Sequence, residues 1–507
     1  MSPDGSATVH DYGDAADIRS VREQKAAARA GAGAPPRALN LYARRAQVYP
    51  RKVRGRFRSL KWAALLGLLG LYYVLPWVRW DRGPGAPDQA VLVDLNHERG
   101  YFFFIEIWPQ EVYYLTGLLV LAAVGLFLAT SLAGRVWCGY ACPQTVWTDL
   151  FMWVERLIEG DRSARIRLDK QPLSAGKIGR KTAKHAAWLA IAFLTGGAWI
   201  MYFVDAPTVV GDFFTGAASE TVYFFVGLFT ATTYLLAGMA REQVCTYMCP
   251  WPRFQAAMLD EDSLVVTYNR HRGEPRGPIR KGEKRDETGH CIDCKQCVAV
   301  CPTGIDIRDG LQLECIGCGL CVDSCNEIMA RVGLPPNLIA FDTERRMAQR
   351  AAKEKPAYRL IRPRTVLYFF ILLGVAGLMV FALATRDDQG VNVLHDRILF
   401  VRLSSGAIQN SYDVKVLNKA RTARRFDLTV EGLPGAKIVL VGRSTEPAAR
   451  VAVSAPPDGL GEYRLHVRAP AAGITGEETK IRFVVTGEDG GTAVRETTFR
   501  GPKAQNR

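Results

Sequence analysis

Five long runs without a single Asp, Glu, Lys or Arg constrain what this chain can become: residues 62–78, 112–134, 186–204, 221–240 and 365–385. Each has about the length a helix needs to cross a hydrocarbon core of roughly 30 Å at about 1.5 Å per residue. A single soluble domain is excluded. The chain-wide averages, 48% hydrophobic and 23% charged, hide this because polar segments of comparable length separate the runs.

The formal charge of +15 is unevenly spread. Lys and Arg crowd residues 19–61, 135–184 and 241–364, whereas 81–111 sets Arg82 and Arg99 against six carboxylates and 205–220 has no basic residue. Alternating basic and basic-poor loops follow the positive-inside rule. The pattern predicts a cytoplasmic N-terminus, 135–184 loop and 241–364 segment, with the chain beyond 385 on the opposite face. The excess charge then has a topological origin, and nucleic acid is not an expected partner. The first forty residues, rich in Ala, Arg and Gly, are expected to be disordered, and the basic N-terminal region to extend over residues 1–60. No short apolar stretch follows a basic start, so the first span is expected to act as an uncleaved anchor rather than a signal peptide. The run RKVRGRFRSLK at 51–61 could touch anionic lipid, though orientation alone accounts for it.

After the last run, short stretches of alternating apolar and polar residues recur at 398–401, 412–416, 426–430, 438–441, 450–453, 463–467 and 481–485. Turn residues separate them, which predicts an all-β sandwich over about 390–507. It contains no cysteine and no catalytic cluster, and His395 and His466 stand alone as ordinary histidines. A binding or assembly module is expected there.

Chemistry is concentrated in the twelve cysteines. Residues 291–301 read CIDCKQCVAVC and residues 315–325 read CIGCGLCVDSC, which is C-x2-C-x2-C-x3-C twice. Three closely spaced cysteines wrap three corners of a cubane, and the fourth of each set reaches the other cluster. The spacing predicts one [4Fe-4S] cluster on Cys291, Cys294, Cys297 and Cys325, and a second on Cys315, Cys318, Cys321 and Cys301. Zinc also uses C-x2-C pairs, but eight cysteines in doubled order favour clusters. Pro302 follows the first set and Asn326 the second, an exchange expected to loosen that turn.

The remaining cysteines form two pairs. Arg135 precedes Cys138-Gly-Tyr140-Ala-Cys142-Pro143, and Arg241 precedes Cys245-Thr-Tyr247-Met248-Cys249-Pro250, each just after a membrane run. Spans two and four are thus expected to be halves of an internal repeat. In continuous helix, positions i and i+4 share a face, so both sulfurs of a pair would lie together. The proline suits the first turn of a new helix, with Cys142 or Cys249 at its N-cap and its thiol pKa lowered there. Trp147, Leu150, Phe151, Val154, Leu157 and Ile158 form one stripe, predicting a helix lying on the membrane surface. Four such thiols could bind a soft ion, Cu(I) in particular, or cycle between dithiol and disulfide; buried small residues at helix ends are the plain alternative. Met248 is expected to pack rather than ligate.

No histidine lies within a span, and C-x-x-C-H, G-x-x-x-x-G-K-[ST] and G-x-G-x-x-G are all missing. Haem attachment and nucleotide binding have no motif here. Electrons are expected to move singly and to come from an unidentified donor or quinol pool.

From about Leu41 onward the chain resembles the CcoG/FixG/RdxA family of polyferredoxin-type accessory proteins. The resemblance rests on YARRAQVYPRKVRGRFRSLKW, GRVWCGYACPQTVWTDLFMWVERLIEGDR, REQVCTYMCPWPRFQAAMLDEDSLVVTY, RGEPRG and the doubled cysteine motif. It implies a bacterial inner-membrane protein with a cytoplasmic two-cluster ferredoxin domain and a periplasmic immunoglobulin-like domain. It also implies a role in assembling cbb3-type cytochrome oxidase, with reduction of Cu(II) to Cu(I) before copper insertion. Expected partners are oxidase assembly factors or a copper transporter or chaperone, and a homo-oligomer is left open.

The combined expectation is a five-span α-helical bundle over 61–260 and 364–386, with a ferredoxin-like domain inserted at 261–363 and the sandwich at 390–507. Copper or disulfide chemistry is expected at Cys138, Cys142, Cys245 and Cys249, in a cupric-reductase-type oxidoreductase. Two alternatives remain from the sequence: a respiratory electron carrier similar to the membrane ferredoxins of nitrate and nitrous-oxide reduction, and a redox-sensing assembly scaffold.

Overall fold

The computed structural model describes residues 47–83, 85–278, 288–397, 400–443, 446–474 and 476–502. The expected disorder of the first forty residues lies outside these. The basic segment is not disordered up to residue 60, however: helix α1 (Arg56–Val74) starts inside it. Its first turn is held from another part of the chain, as the Phe57 and Arg58 N–H groups donate to Asp323 at 3.2 and 2.8 Å. A carboxylate at a helix N-terminus satisfies orphan donors and complements the helix dipole.

The other principal helices are α2 (Tyr113–Ala133), α3 (Pro143–Glu159), α4 (Ala175–Ile200), α5 (Glu220–Thr233), α6 (Leu320–Arg331) and α7 (Pro363–Ala384). Among the described residues, four helical stretches are long and apolar enough to cross a membrane: Arg56–Trp77, Pro109–Ala133, Glu220–Ala240 and Pro363–Ala384. Residues 186–200 of the run expected as a span at 186–204 fall in α4, whose first turns carry Lys177, Arg180, Lys181 and Lys184. Helix α4 crosses α5 closely at Gly196, where a Cβ would lie 2.9 Å from the Val226 carbonyl and Thr230 N–H.

Most of the apolar stripe of α3 faces protein rather than a membrane surface, although Leu157 is exposed. Phe151 and Val154 are buried with Trp188 and Ala192 of α4 and with Ala237, and the Phe151 and Trp188 rings stack 5.5 Å apart. Ion pairs close this packing: Glu155 meets Arg165 at 2.8 Å and Arg241 at 3.0 Å, and Glu159 meets Lys184 at 3.1 Å. Buried carboxylates persist only with such partners.

Two appendages sit at opposite ends of the spans. The ferredoxin domain is framed by β4 (Val265–Tyr268) paired antiparallel with β5 (Ile339–Asp342), and its core gathers Val266, Tyr268, Ile307, Val322, Met329 and Ile339. At the other end, β1 (Val91–Asp94), β2 (Arg99–Phe102) and β3 (Ile105–Ile107) form a small sheet beside the C-terminal domain. Arg99 binds Asp458 at 2.5 Å and Glu111 binds Lys419 at 2.7 Å across that junction.

The C-terminal domain is an all-β sandwich. One sheet contains β6 (Gln389–His395), β7 (Val401–Arg402), β8 (Ile408–Asn418), β10 (Lys437–Leu440) and β12 (Gly459–Ala469), in the order β10-β12-β8-β6 with β7 on β8. The facing sheet runs β11-β9-β13-β14, with β9 at Arg424–Glu431, β11 at Arg450–Ala455, β13 at Glu478–Gly487 and β14 at Thr492–Arg500. Alternate residues point inward, so Tyr412, Val414, Val416, Phe426, Phe483 and Phe499 fill the core. His395 bonds Asn410 at 2.8 Å and His466 bonds the Ser411 hydroxyl at 2.9 Å, ordinary roles within the sheet.

Candidate iron–sulfur and thiol site

In the ferredoxin domain the eight motif cysteines line two adjoining cavities. One is lined by Cys291, Cys294, Cys297 and Cys325. The other is lined by Cys301, Cys315, Cys318 and Cys321, with Cys297 in the wall common to both. This is the crossed arrangement that the spacing predicts: the last cysteine of each motif joins the first three of the other. Ile292, Ile316, Leu320, Met329, Leu338 and Ile339 supply apolar walls. Burial pushes the Cys297 and Cys315 thiols up to about 12 and the Cys325 thiol up to about 11. Buried sulfurs of this kind become thiolates when a cation compensates them, so four sulfurs around each apolar cavity fit an iron–sulfur core. Among the described residues, no three His, Cys, Asp or Glu side chains converge on a single metal-ion position.

Local backbone makes the cavities. In 315–321 the chain turns through left-handed Gly317 and Gly319, with φ of 65° and 72°. The expected loosening at Asn326 does not occur. Helix α6 runs through it, and its side-chain oxygen accepts from the Asn337 N–H at 2.7 Å.

The two thiol pairs are built alike. After α2 and after α5 the backbone breaks with nearly the same dihedrals: φ 60° and ψ −127° at Gly134, φ 46° and ψ −115° at Arg241. Each break leads into a single π-helical turn, Trp137–Ala141 and Val244–Met248. Its closing bonds are Cys142 N–H to Trp137 O and Cys249 N–H to Val244 O, both 2.8 Å. Such turns are uncommon and concentrate at functional sites. A left-handed arginine is strained, and Arg241 is held there by Glu155 and by the Gly238 carbonyl at 2.8 Å. Cys142 is the N-cap of α3, as expected, whereas Pro250 takes that place before the short helix Trp251–Met258.

Reciprocal bonds interlock the pairs. Gln144 donates to the Leu236 and Arg241 carbonyls at 2.8 and 3.1 Å, and the Cys138 thiol donates to Gln255 at 3.3 Å. Cys142, Cys245 and Cys249 all bear electrostatically on Cys138, but among the described residues no three of these four thiols converge on the one metal-ion position expected from the sequence. Burial raises Cys138 to about 12, with Cys142 adding to the effect and Arg135 opposing it, and burial raises Cys245 to about 11. Cys249 is exposed.

The first pair also abuts the second cysteine cavity. The Tyr140 hydroxyl donates to the Cys318 carbonyl at 3.0 Å, and Arg135 donates to the Cys315 carbonyl at 2.9 Å. A Cβ on Gly139 would lie 2.9 to 3.1 Å from Ile316 O, Gly317 O and Cys318 Cα, so only glycine fits. Arg135 and Tyr140 stand in both sequence repeats, but their contact with the ferredoxin domain has no sequence signal. Gly139 has none either, because its counterpart is Thr246.

Comparisons with known proteins agree with this geometry. A family model described as a 4Fe-4S dicluster domain matches residues 240–344, and one described as a 4Fe-4S binding domain matches 115–160, across the first thiol pair. A third, the Ig-like fold at the C-terminal of FixG, matches 379–502. The chain is 47% identical to nitrogen fixation protein FixG of Rhizobium meliloti, covering 92% of this chain and 95% of that protein. It is 48% identical to protein RdxB of Cereibacter sphaeroides (91% and 98% covered) and 46% identical to RdxA of the same organism (92% and 99%). Apolar spans, two cysteine cavities and these matches make it a membrane iron–sulfur electron-transfer protein, and the chain belongs to the FixG/RdxA family.

Proposed function

We propose that this protein reduces Cu(II) to Cu(I) at Cys138, Cys142, Cys245 and Cys249, and that it does so for the assembly of a cbb3-type cytochrome oxidase. In this reading it sits in the bacterial inner membrane with five spans. The basic loops support a cytoplasmic ferredoxin domain and a periplasmic sandwich. Cys291, Cys294, Cys297 and Cys325 hold an outer [4Fe-4S] cluster, and Cys301, Cys315, Cys318 and Cys321 hold an inner one beside the thiol pairs. Bound there, the clusters supply one-electron transfer.

One juxtaposition carries the reading: the first thiol pair is locked against the inner cavity through Tyr140 and Gly139. The copper ion is the substrate. It takes one electron from the reduced ferredoxin domain and becomes Cu(I), for which thiolate is a matched soft ligand. Each thiol that binds it releases a proton. Exposed Cys249 is the open side from which copper would arrive, and the partly buried Cys138 faces the electron source. Electrons come from an unidentified donor, and Cu(I) passes to a transporter, chaperone or oxidase assembly factor.

The test is anaerobic mixing of the pre-reduced, detergent-purified protein with Cu(II), reading cluster absorbance and a Cu(I) chelator together. Cluster re-oxidation should match Cu(I) formation electron for electron. Cys245→Ser with Cys249→Ser should spare cluster absorbance and abolish the reaction. Persistent Cu(II) reduction in that variant would move the copper site elsewhere.

A further inference from the structure

A further cavity lies between the thiol pairs and the ferredoxin domain, lined among others by Lys61, Arg241, Glu242, Cys245, Thr303 and Ile316. Thr303 and Ile316 also line the inner cysteine cavity, so these two side chains are the partition between them. Lys61, from α1, is 3% exposed. Among the described residues its ammonium has no hydrogen-bond partner. It faces Asp149 Oδ2 at 4.0 Å, but that carboxylate is already gripped by Arg58 at 2.8 and 2.9 Å. Arg241, on the same cavity, is tied to Glu155.

Besides Asp149, the buried carboxylate of Glu242 lines the same cavity and supplies negative charge there, and a buried ammonium without a hydrogen bond is stabilised by any further negative charge that faces it. Two sources flank Lys61. It acts to lower the thiol pKa of Cys245, and it is the chief influence opposing burial at Cys318. Four thiolates on an iron–sulfur core leave a net negative charge, which grows by one on reduction.

We propose that Lys61 is a positioning residue for electron transfer: enclosed between the inner cysteine cavity and Cys245, its ammonium favours the added electron on the inner, thiol-facing cluster. This deepens the ligand assignment made above and rests on it. The outer cavity has a cation too, Arg308, 4.0 Å from the Cys291 sulfur. That guanidinium is offset by Asp293 at 2.5 Å and Asp306 at 2.7 Å. The charge difference makes the inner side the electron's resting place and the outer side, where Cys294 is exposed, the entry. One electron passes from outer to inner, and no bond or proton changes.

The experiment is a redox titration of the full-length, detergent-purified protein, following both clusters by EPR alongside iron and sulfide content. Cys318→Ser identifies the inner signal. Lys61→Met should move the inner midpoint negative and leave the outer one in place, with iron content unchanged, and Lys61→Arg should restore the wild-type midpoint. Asp149→Asn, which leaves the ammonium less compensated, should move the same midpoint positive and serves if Lys61→Met loses iron. Two unmoved midpoints, or two that move together, overturn the role of Lys61 while the ligand assignment stands. A wild-type protein with a single cluster, or a Cys318→Ser variant with both signals unaltered, overturns the ligand assignment instead.

Discussion

The two C-x2-C-x2-C loops share a backbone but not its residues. In 291–297 the left-handed positions are Asp293 and Lys295, with φ of 51° and 55°; in 315–321 they are Gly317 and Gly319, at 65° and 72°. The conformation therefore belongs to the ligand spacing, while glycine answers to the surroundings. A Cβ on Gly319 would lie 2.8 to 3.0 Å from the rings of Phe57 and Phe341, and one on Gly317 would lie 3.2 Å from Arg135. The outer loop has room for side chains and uses one, Asp293, to hold Arg308. The inner loop is roofed by the membrane half. Glycines thus mark the loop that faces the thiol pairs.

Exchanging the two loops' residues should break this comparison most severely. Gly319→Lys meets both left-handed strain, about 1–2 kcal/mol, and overlap with two aromatic rings. Iron content should fall to that of a single cluster, while Lys295→Gly keeps both. Equal iron in the two variants would show that the membrane half does not cover the inner loop. A smaller effect is expected at Asp323, whose counterpart in the first motif is Ala299. Asp323→Ala removes the cap on α1 and should lower stability by about 1 kcal/mol, read as a lower melting midpoint in detergent. Tyr140→Phe should cost about 1 kcal/mol or less through its lost bond to Cys318. The equivalent Tyr247→Phe should be silent, since Tyr247 is 72% exposed. A matching loss at Tyr247 would mean that both pairs dock on something.

Much of this was legible in the sequence, for physical reasons that also explain the gaps. Four of the five uncharged runs announce helices able to span because a charge in hydrocarbon is costly, and ligand spacing announces the crossed cavities because a cubane has fixed corners. Most sandwich strands showed in their alternation. Strand β14 did not, because only Phe499 of its nine residues is buried. Strand β6 buries just Gln389 and Val393, which leaves no pattern to read. In the stretch expected as a strand at 398–401, the described pairing is confined to Val401–Arg402. The stripe on α3 was visible but its partner was not, since an apolar face reads the same against lipid as against protein. Its other face held the discriminating residues: Asp149, Glu155 and Glu159 are buried against Arg58, Arg165 and Lys184, and a helix lying on a membrane would expose them. The π-turns left no trace, because one inserted residue per turn barely disturbs a helical pattern. Lys61 was hidden for the opposite reason. As one of many cations before a span it looked like an orientation signal, and only the packed structure separates it from Arg54 and Arg56.

The smallest effect sharpens the comparison by acidity. The hydrogen bond from Arg308 holds the Asp293 carboxyl below the usual carboxylate range. A depressed carboxylate stabilises the fold fully above its unfolded value of about 4, and that contribution is lost as pH falls through the lower folded value. Because Asp293 is partly exposed, the contribution is screened and should be about 1 kcal/mol or less. Gly317, at the equivalent inner position, has nothing to titrate. Acid should therefore loosen the outer cavity before the inner one, and Asp293→Asn should remove that difference. Stopped-flow loss of cluster absorbance just below pH 4 reads it. Two phases are expected in the wild type, the faster one from the outer cluster, whose signal Cys294→Ser identifies. If the inner cluster bleaches first, the Asp293–Arg308 pair is not what separates the two cavities.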